Sequence, residues 1–134
     1  GMNIAIVTPK KYGISSTIVE MAEAHALHSG AHILFTDKVD DAVPDSHYLY
    51  TDVWVSMGQE KERARRKRAF GKYKITKKML EKCHPECKVM HCLPAYRGQE
   101  IDEDVLESNR AIIFDQAENR LHLQKAVMAI LMNK

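Results

Sequence analysis

Three short segments of this 134-residue chain carry the side chains best suited to chemistry. Thr51 to Glu60 (TDVWVSMGQE) offers the carboxylate of Asp52 and the hydroxyl of Ser56. His91 to Glu100 (HCLPAYRGQE) offers the thiol of Cys92, and Phe114 to Arg120 (FDQAENR) the guanidinium of Arg120. A carboxylate is the natural partner of an ammonium group, a thiolate can take up a proton, and a guanidinium suits a carbonyl oxygen. Each residue also has a plainer reading. Asp52 alone reads as the end of a strand, Cys92 as a small buried hydrophobe, and Arg120 as a surface arginine in the first turn of a helix, where the helix dipole mildly disfavours it. The three segments together are far more specific than any one of them.

Two other groupings compete with these. Cys83, His84, Cys87, His91 and Cys92 are of the right types for zinc, but alternation along a strand turns His91 and Cys92 to opposite faces, so no single tetrahedral metal site is expected. The basic run from Lys61 to Lys82 is diluted by Glu60, Glu62 and Glu81 and offers only Phe70 and Tyr73 for stacking on bases. A solvated helix is expected there in place of a nucleic-acid surface.

The elements that must hold these residues follow from patterning. Short β-rich runs alternate with longer helical stretches, the signature of parallel strands joined by crossover helices, so the class is α/β. Strands are expected at Asn3 to Val7, Ala31 to Thr36, Tyr48 to Val55, Lys88 to Cys92 and Ala111 to Phe114. A helix capped by Ser15 or Ser16 carries Ile18, Val19, Met21, Ala22 and Ala26 at helical spacing, ends near Gly30, and should cover one sheet face. Asp37 to Val43 reads as a short helix or turn, Gln59 to Phe70 as a mostly solvated charged helix, and Lys72 to Lys82 as another helix. Ala117 to Met132 is expected to form a closing helix with a wide apolar face. In an open parallel sheet ligands sit beyond the carboxyl ends of the strands, which is where the three segments fall.

Composition sets the bounds. Apolar residues make up 45% of the chain, charged residues 28%, and the formal net charge is +2. That is enough for one ordinary core, with no run approaching the roughly 18 apolar residues a membrane helix needs. The start, Gly1-Met2-Asn3-Ile4-Ala5-Ile6-Val7, has no basic region or cleavage site of a signal peptide, and three clustered cysteines do not form a paired framework. A cytoplasmic protein with reduced thiols, and no membrane partner, is expected.

Asp-x-Trp-x-Ser-Met-Gly at Asp52 to Gly58, then His-Cys-Leu-Pro at His91 to Pro94, then Ala-Glu-Asn-Arg at Ala117 to Arg120, resembles the ornithine carbamoyltransferase family in order and spacing. The opening Gly-Met-x-Ile-x-x-x-Thr-Pro-Lys-x-Tyr resembles a segment inside that family's second domain, and the likeness covers nearly the whole chain. Related aspartate carbamoyltransferases have proline where Cys92 stands, and putrescine carbamoyltransferases usually lack the Ser-Met-Gly of positions 56 to 58.

The resemblance implies a Rossmann-like, three-layer domain with about five parallel strands flanked by helices. Residues 1–134 would be the ornithine-binding domain, incomplete, with the carbamoyl-phosphate-binding domain absent. Asp52 would hold the α-amino group of ornithine, and Ser56 and the backbone of Met57 the rest of its head. Cys92 would be catalytic, lying with Leu93 where the δ-amine meets the carbamoyl carbon, and Arg120 would bind the carbamoyl group of carbamoyl phosphate. No cofactor is implied. The family's Ser-x-Arg-Thr-Arg-like phosphate motif does not occur in the sequence, so this chain alone is expected to be inactive. Family members are usually homotrimers, largely through the other domain, which leaves monomer, dimer or a partner-completed state open here.

Overall fold

The computed structural model describes residues 1–133. Four strands form in two parallel pairs: β1 (Ile4–Val7) beside β2 (Ile33–Thr36), and β3 (Tyr48–Thr51) beside β4 (Lys88–His91). β1, β2 and β3 are dominated by branched and aromatic residues that pack well on a pleated surface. Parallel neighbours need a crossover. α1 (Ser16–Ser29) supplies it between β1 and β2. The longer connection from β3 to β4 runs through α2 (Arg63–Phe70) and α3 (Lys77–Leu80). After β4 come the short α4 (Glu103–Leu106) and the long α5 (Ile113–Met132).

The core lies on the β3–β4 side. Cys87, Val89, Ile101 and Ile113 are fully buried, with Leu80, Val105 and Leu106 packed around them, and no residue before Val39 joins this cluster. The β1–α1–β2 unit is covered much less. On α1 only the stripe Val19, Ala22 and Ala26 turns inward, while Ile18, Met21 and Leu27 are exposed. The helix covers the sheet face along this narrow stripe only. Ser15 occupies the N-cap position without a side-chain capping bond, and Gly30 ends the helix at φ 70°, a left-handed conformation that glycine adopts without strain.

Several boundaries differ from expectation. Ala111 to Phe114 is not a fifth strand. Ala111 makes a single bridge to Val89, and α5 begins at Ile113, so the described residues hold two two-stranded sheets instead of one sheet of about five. A four-residue apolar run satisfies either element, and Ile113 is buried completely as the first residue of a helix. β3 stops at Thr51 and not near Val55. Lys72 to Lys82 is interrupted: Ile75 bridges to Ile101, and α3 starts anew where Thr76 Oγ1 accepts the Met79 N–H at 3.2 Å. The charged helix is less solvated than its composition suggests. Arg66 pairs with Glu62 at 3.0 Å and lies 5.0 Å from the centre of the Tyr12 ring, next to Phe70 and Trp54. Among the described residues no helix is long and apolar enough to cross a membrane.

Candidate ligand site at the ends of β3 and β4

Register builds the centre of the site. Thr51 stands opposite His91 in the β3–β4 pair, so the residues that follow each strand, Asp52 and Cys92, are brought together from 40 positions apart. Cys92 Sγ donates to Asp52 Oδ1 at 3.0 Å, and the Val53 N–H donates to the same oxygen at 2.6 Å. Behind them, Gln116 near the start of α5 accepts the His91 N–H at 3.1 Å and gives its own amide hydrogen to the Tyr50 hydroxyl at 3.3 Å. The polarity of this chain is fixed by chemistry. With an amide N–H arriving at its oxygen, the Tyr50 hydroxyl has its proton free to point toward the neighbouring Cys92 sulfur.

Burial pushes the Cys92 thiol above its ordinary range, the adjacent Asp52 carboxylate raises it further, and the Tyr50 hydroxyl pulls part of the way back. Desolvation and the same neighbours raise the Tyr50 phenol, with Gln116 opposing. At neutral pH Cys92 is therefore a thiol whose proton faces Asp52. Asp52→Asn removes the charge that opposes the thiolate, so the midpoint of the pH–rate profile for Cys92 alkylation by iodoacetamide is expected to move down. An unmoved midpoint would show that Asp52 does not govern the thiol. Cys83 and Cys87 interfere little, since both are buried and Cys83 is pushed up to about 12.

The loop after β4 is anchored from below. The Leu93 N–H donates to His91 Nδ1 at 2.8 Å, so that nitrogen carries no proton and Nε2 carries it, facing Glu100 Oε1 at 3.1 Å. The same oxygen accepts the Tyr96 N–H at 2.6 Å. His91 and Glu100 are 0% and 1% exposed. Leu93 sits at φ 56°, an uncommon conformation for a leucine that the ring contact helps to hold. His91 thus turns into the core while Cys92 turns to Asp52, the opposite facing that strand alternation dictates.

The other expected residues are more dispersed. Ser56 and Met57 line a hollow of about 130 Å³ with Trp54, Tyr96 and Gln99, and Met57 is 97% exposed. Ser56 also borders, with Asp52, a larger groove running between β1 and β3. Arg120 is exposed, and no hydrogen bond or ion pair links it to Asp52 or Cys92 among the described residues. Because α5 begins at Ile113, Arg120 lies in the helix's third turn, and the dipole misfit expected of a first-turn arginine does not arise. Tyr50, Gln116 and Glu100 escaped the sequence reading. The first two sat inside a strand and at its apparent end, and only the pairing of β3 with β4 brings them to Cys92.

Reactive side chains gathered beyond the carboxyl ends of parallel strands in a Rossmann-like α/β fold define a ligand-binding domain. Residues 1–131 match the family described as aspartate/ornithine carbamoyltransferase, Asp/Orn binding domain, and the chain belongs to that family. It is 48% identical over 132 residues to an ornithine carbamoyltransferase of Prochlorococcus marinus and 42% identical over 131 residues to one of Caldicellulosiruptor saccharolyticus. Each match takes in 98% of this chain but only 41% and 42%, respectively, of the relative's length. The crystal structure of an anabolic ornithine carbamoyltransferase from Campylobacter jejuni superposes with a TM-score of 0.90 at 40% identity, over 98% of this chain and 43% of that one.

Proposed function

We propose that this chain is the ornithine-binding portion of an ornithine carbamoyltransferase, residues 1–134 forming an incomplete second domain without the carbamoyl-phosphate-binding one. The observation that carries the reading is the 3.0 Å contact between Cys92 and Asp52 at the ends of paired strands. In the reaction the neutral δ-amine of ornithine attacks the carbamoyl carbon, the C–O bond to phosphate breaks, and the amine loses a proton, giving citrulline and phosphate. Asp52 holds the α-ammonium group, and Ser56 and the Met57 backbone hold the rest of the head. Cys92 and Leu93 border the reacting centre, and Arg120 reaches the carbamoyl oxygen once the rest of the site is assembled. A carboxylate meeting an ammonium group in a closed site discriminates strongly against ligands that lack it. The whole enzyme acts in the cytoplasm as a homotrimer, while the isolated chain is a monomer or dimer.

The test is a chemical-shift titration of the isotope-labelled chain with L-ornithine and with putrescine, beside a citrulline assay. Ornithine should perturb the Asp52, Ser56 and Met57 amides, putrescine should leave Ser56 and Met57 unmoved, and the chain alone should form no citrulline. Equal responses to both ligands would favour an amine carbamoyltransferase instead, and citrulline formation by the chain alone would overturn its assignment as an incomplete site.

A further inference from the structure

On the edge of β4 that faces away from β3, one side chain stands in for a strand. Val89 donates to the Arg110 carbonyl at 2.8 Å and accepts the Ile112 N–H at 2.9 Å, so the segment before α5 lies along this edge. The next N–H there belongs to His91, and a continuing parallel ladder would deliver it to the Ile112 carbonyl. That carbonyl is already engaged, because the Gln116 N–H reaches it at 2.9 Å as the first turn of α5 closes. Gln116 supplies the substitute, its Oε1 accepting the His91 N–H at 3.1 Å. A backbone N–H can only donate, so the amide is fixed with its oxygen toward His91 and its NH2 toward the Tyr50 hydroxyl, 3.3 Å away.

Tyr50, Asp52 and Cys92 share a face. Register sets Tyr50 against Met90 and Thr51 against His91, and alternation brings Tyr50 to the same side as the residues just beyond both strand ends. Cys92 Sγ gives its own proton to Asp52 at 3.0 Å and can still accept, while the Tyr50 hydroxyl, its oxygen held by Gln116, has a proton to give. Burial does most to raise the Cys92 thiol. Of its two ionisable neighbours, Asp52 raises it further and Tyr50 opposes, as a donor to the sulfur would. We propose that Gln116 is a positioning residue that acts on Cys92 through Tyr50, its amide aiming the hydroxyl proton at the sulfur. The residue that completes the edge of β4 thereby also sets how readily Cys92 carries negative charge. The bearing of this on carbamoyl transfer rests on the function proposed above, where Cys92 borders the reacting centre, but the chain of donors does not depend on that reading.

The experiment is the pH–rate profile of Cys92 alkylation by iodoacetamide, with the modified peptide identified by mass. Tyr50→Phe keeps the ring of a side chain that is already 58% exposed and removes only the donor. The midpoint is expected to rise by about half a pH unit or more, so that reaction at neutral pH slows roughly threefold. Gln116→Met removes the NH2 without adding charge and should also raise the midpoint, but by nothing further in a chain that already carries Tyr50→Phe. That non-additivity separates a residue acting through Tyr50 from one that merely completes the ladder. If Gln116→Met does not fold, Gln116→Glu makes the comparison, because its carboxylate still accepts the His91 N–H and draws the Tyr50 proton to itself. Its upward shift should then be larger with the Tyr50 hydroxyl than without it. The proposal is overturned if Tyr50→Phe leaves the midpoint in place or lowers it, or if the Gln116 substitution shifts it equally in both backgrounds. Shifts of the expected pattern in a chain that gives no response to L-ornithine would leave this inference standing and remove the functional reading. An ornithine response with unmoved midpoints would do the reverse.

Discussion

Glu100→Leu is expected to lower the stability of the chain by about 3–5 kcal/mol, whereas Glu100→Gln costs markedly less. One buried oxygen, Glu100 Oε1, accepts from both His91 Nε2 and the Tyr96 N–H. Leucine leaves both donors without a partner in a region where His91 is 0% exposed, and each orphaned buried donor costs about 1–3 kcal/mol. Glutamine keeps an acceptor oxygen at the same reach, loses the charge, and adds only the donors of its own amide. Urea denaturation of the three proteins makes the comparison, and a loss below about 1 kcal/mol for leucine would mean that water reaches the pair. The damage should extend to the site. The loop from Leu93 to Tyr96 is fixed at one end by His91 Nδ1 and at the other by Glu100, and Cys92 lies directly before it.

That pair also marks the limit of what patterning conveys. His91 and Cys92 are adjacent in sequence, and alternation alone assigned them to opposite faces, which the structure bears out. Nothing local showed that His91 would meet Glu100, because the contact depends on a loop that turns back beneath the strand. α1 and the closing helix were legible from helical spacing, and four of the strand positions from short β-branched or aromatic runs bounded by turn residues. Ala111 to Phe114 was misread because an apolar run of four has no period to distinguish a strand from a helix start. Lys72 to Lys82 was misread because Ile75 is drawn into a bridge with Ile101, a tertiary contact that overrides helical propensity.

The site was legible as three segments and not as a geometry. Asp52 and Cys92 follow strands whose pairing places them in contact, but each alone reads as a strand end and a small buried hydrophobe, and only the surrounding motifs single them out. Tyr50 was hidden by its own strand, whose residues read as sheet-formers before anything else. Arg120 was read from a motif, and it stands on an exposed turn of α5, apart from Asp52 and Cys92. The apolar face expected of α5 is present but uncovered, with Leu121, Leu123, Ile130 and Leu131 all more than half exposed.

The strength of the Asp52 contact should depend on whether the site is closed. In the chain alone Asp52 is exposed, and an ammonium–carboxylate pair in water contributes about 0–1 kcal/mol, so Asp52→Asn is expected to weaken ornithine binding by no more than about fivefold. In the whole enzyme proposed above, the same pair would be shielded. A hydrogen bond to a charged group then contributes about 1.5–3 kcal/mol, and the substitution should weaken binding roughly 10–150-fold. 5-Aminopentanoate, which keeps the carboxylate and δ-amine but lacks the α-amine, should bind parent and Asp52→Asn protein equally in both settings. Calorimetric titration of parent and Asp52→Asn chain, alone and mixed with the remainder of the Prochlorococcus marinus relative, measures both ligands. An equal loss for ornithine and 5-aminopentanoate would move Asp52 from recognising the α-ammonium group to a structural role, held in place by its contact with Cys92.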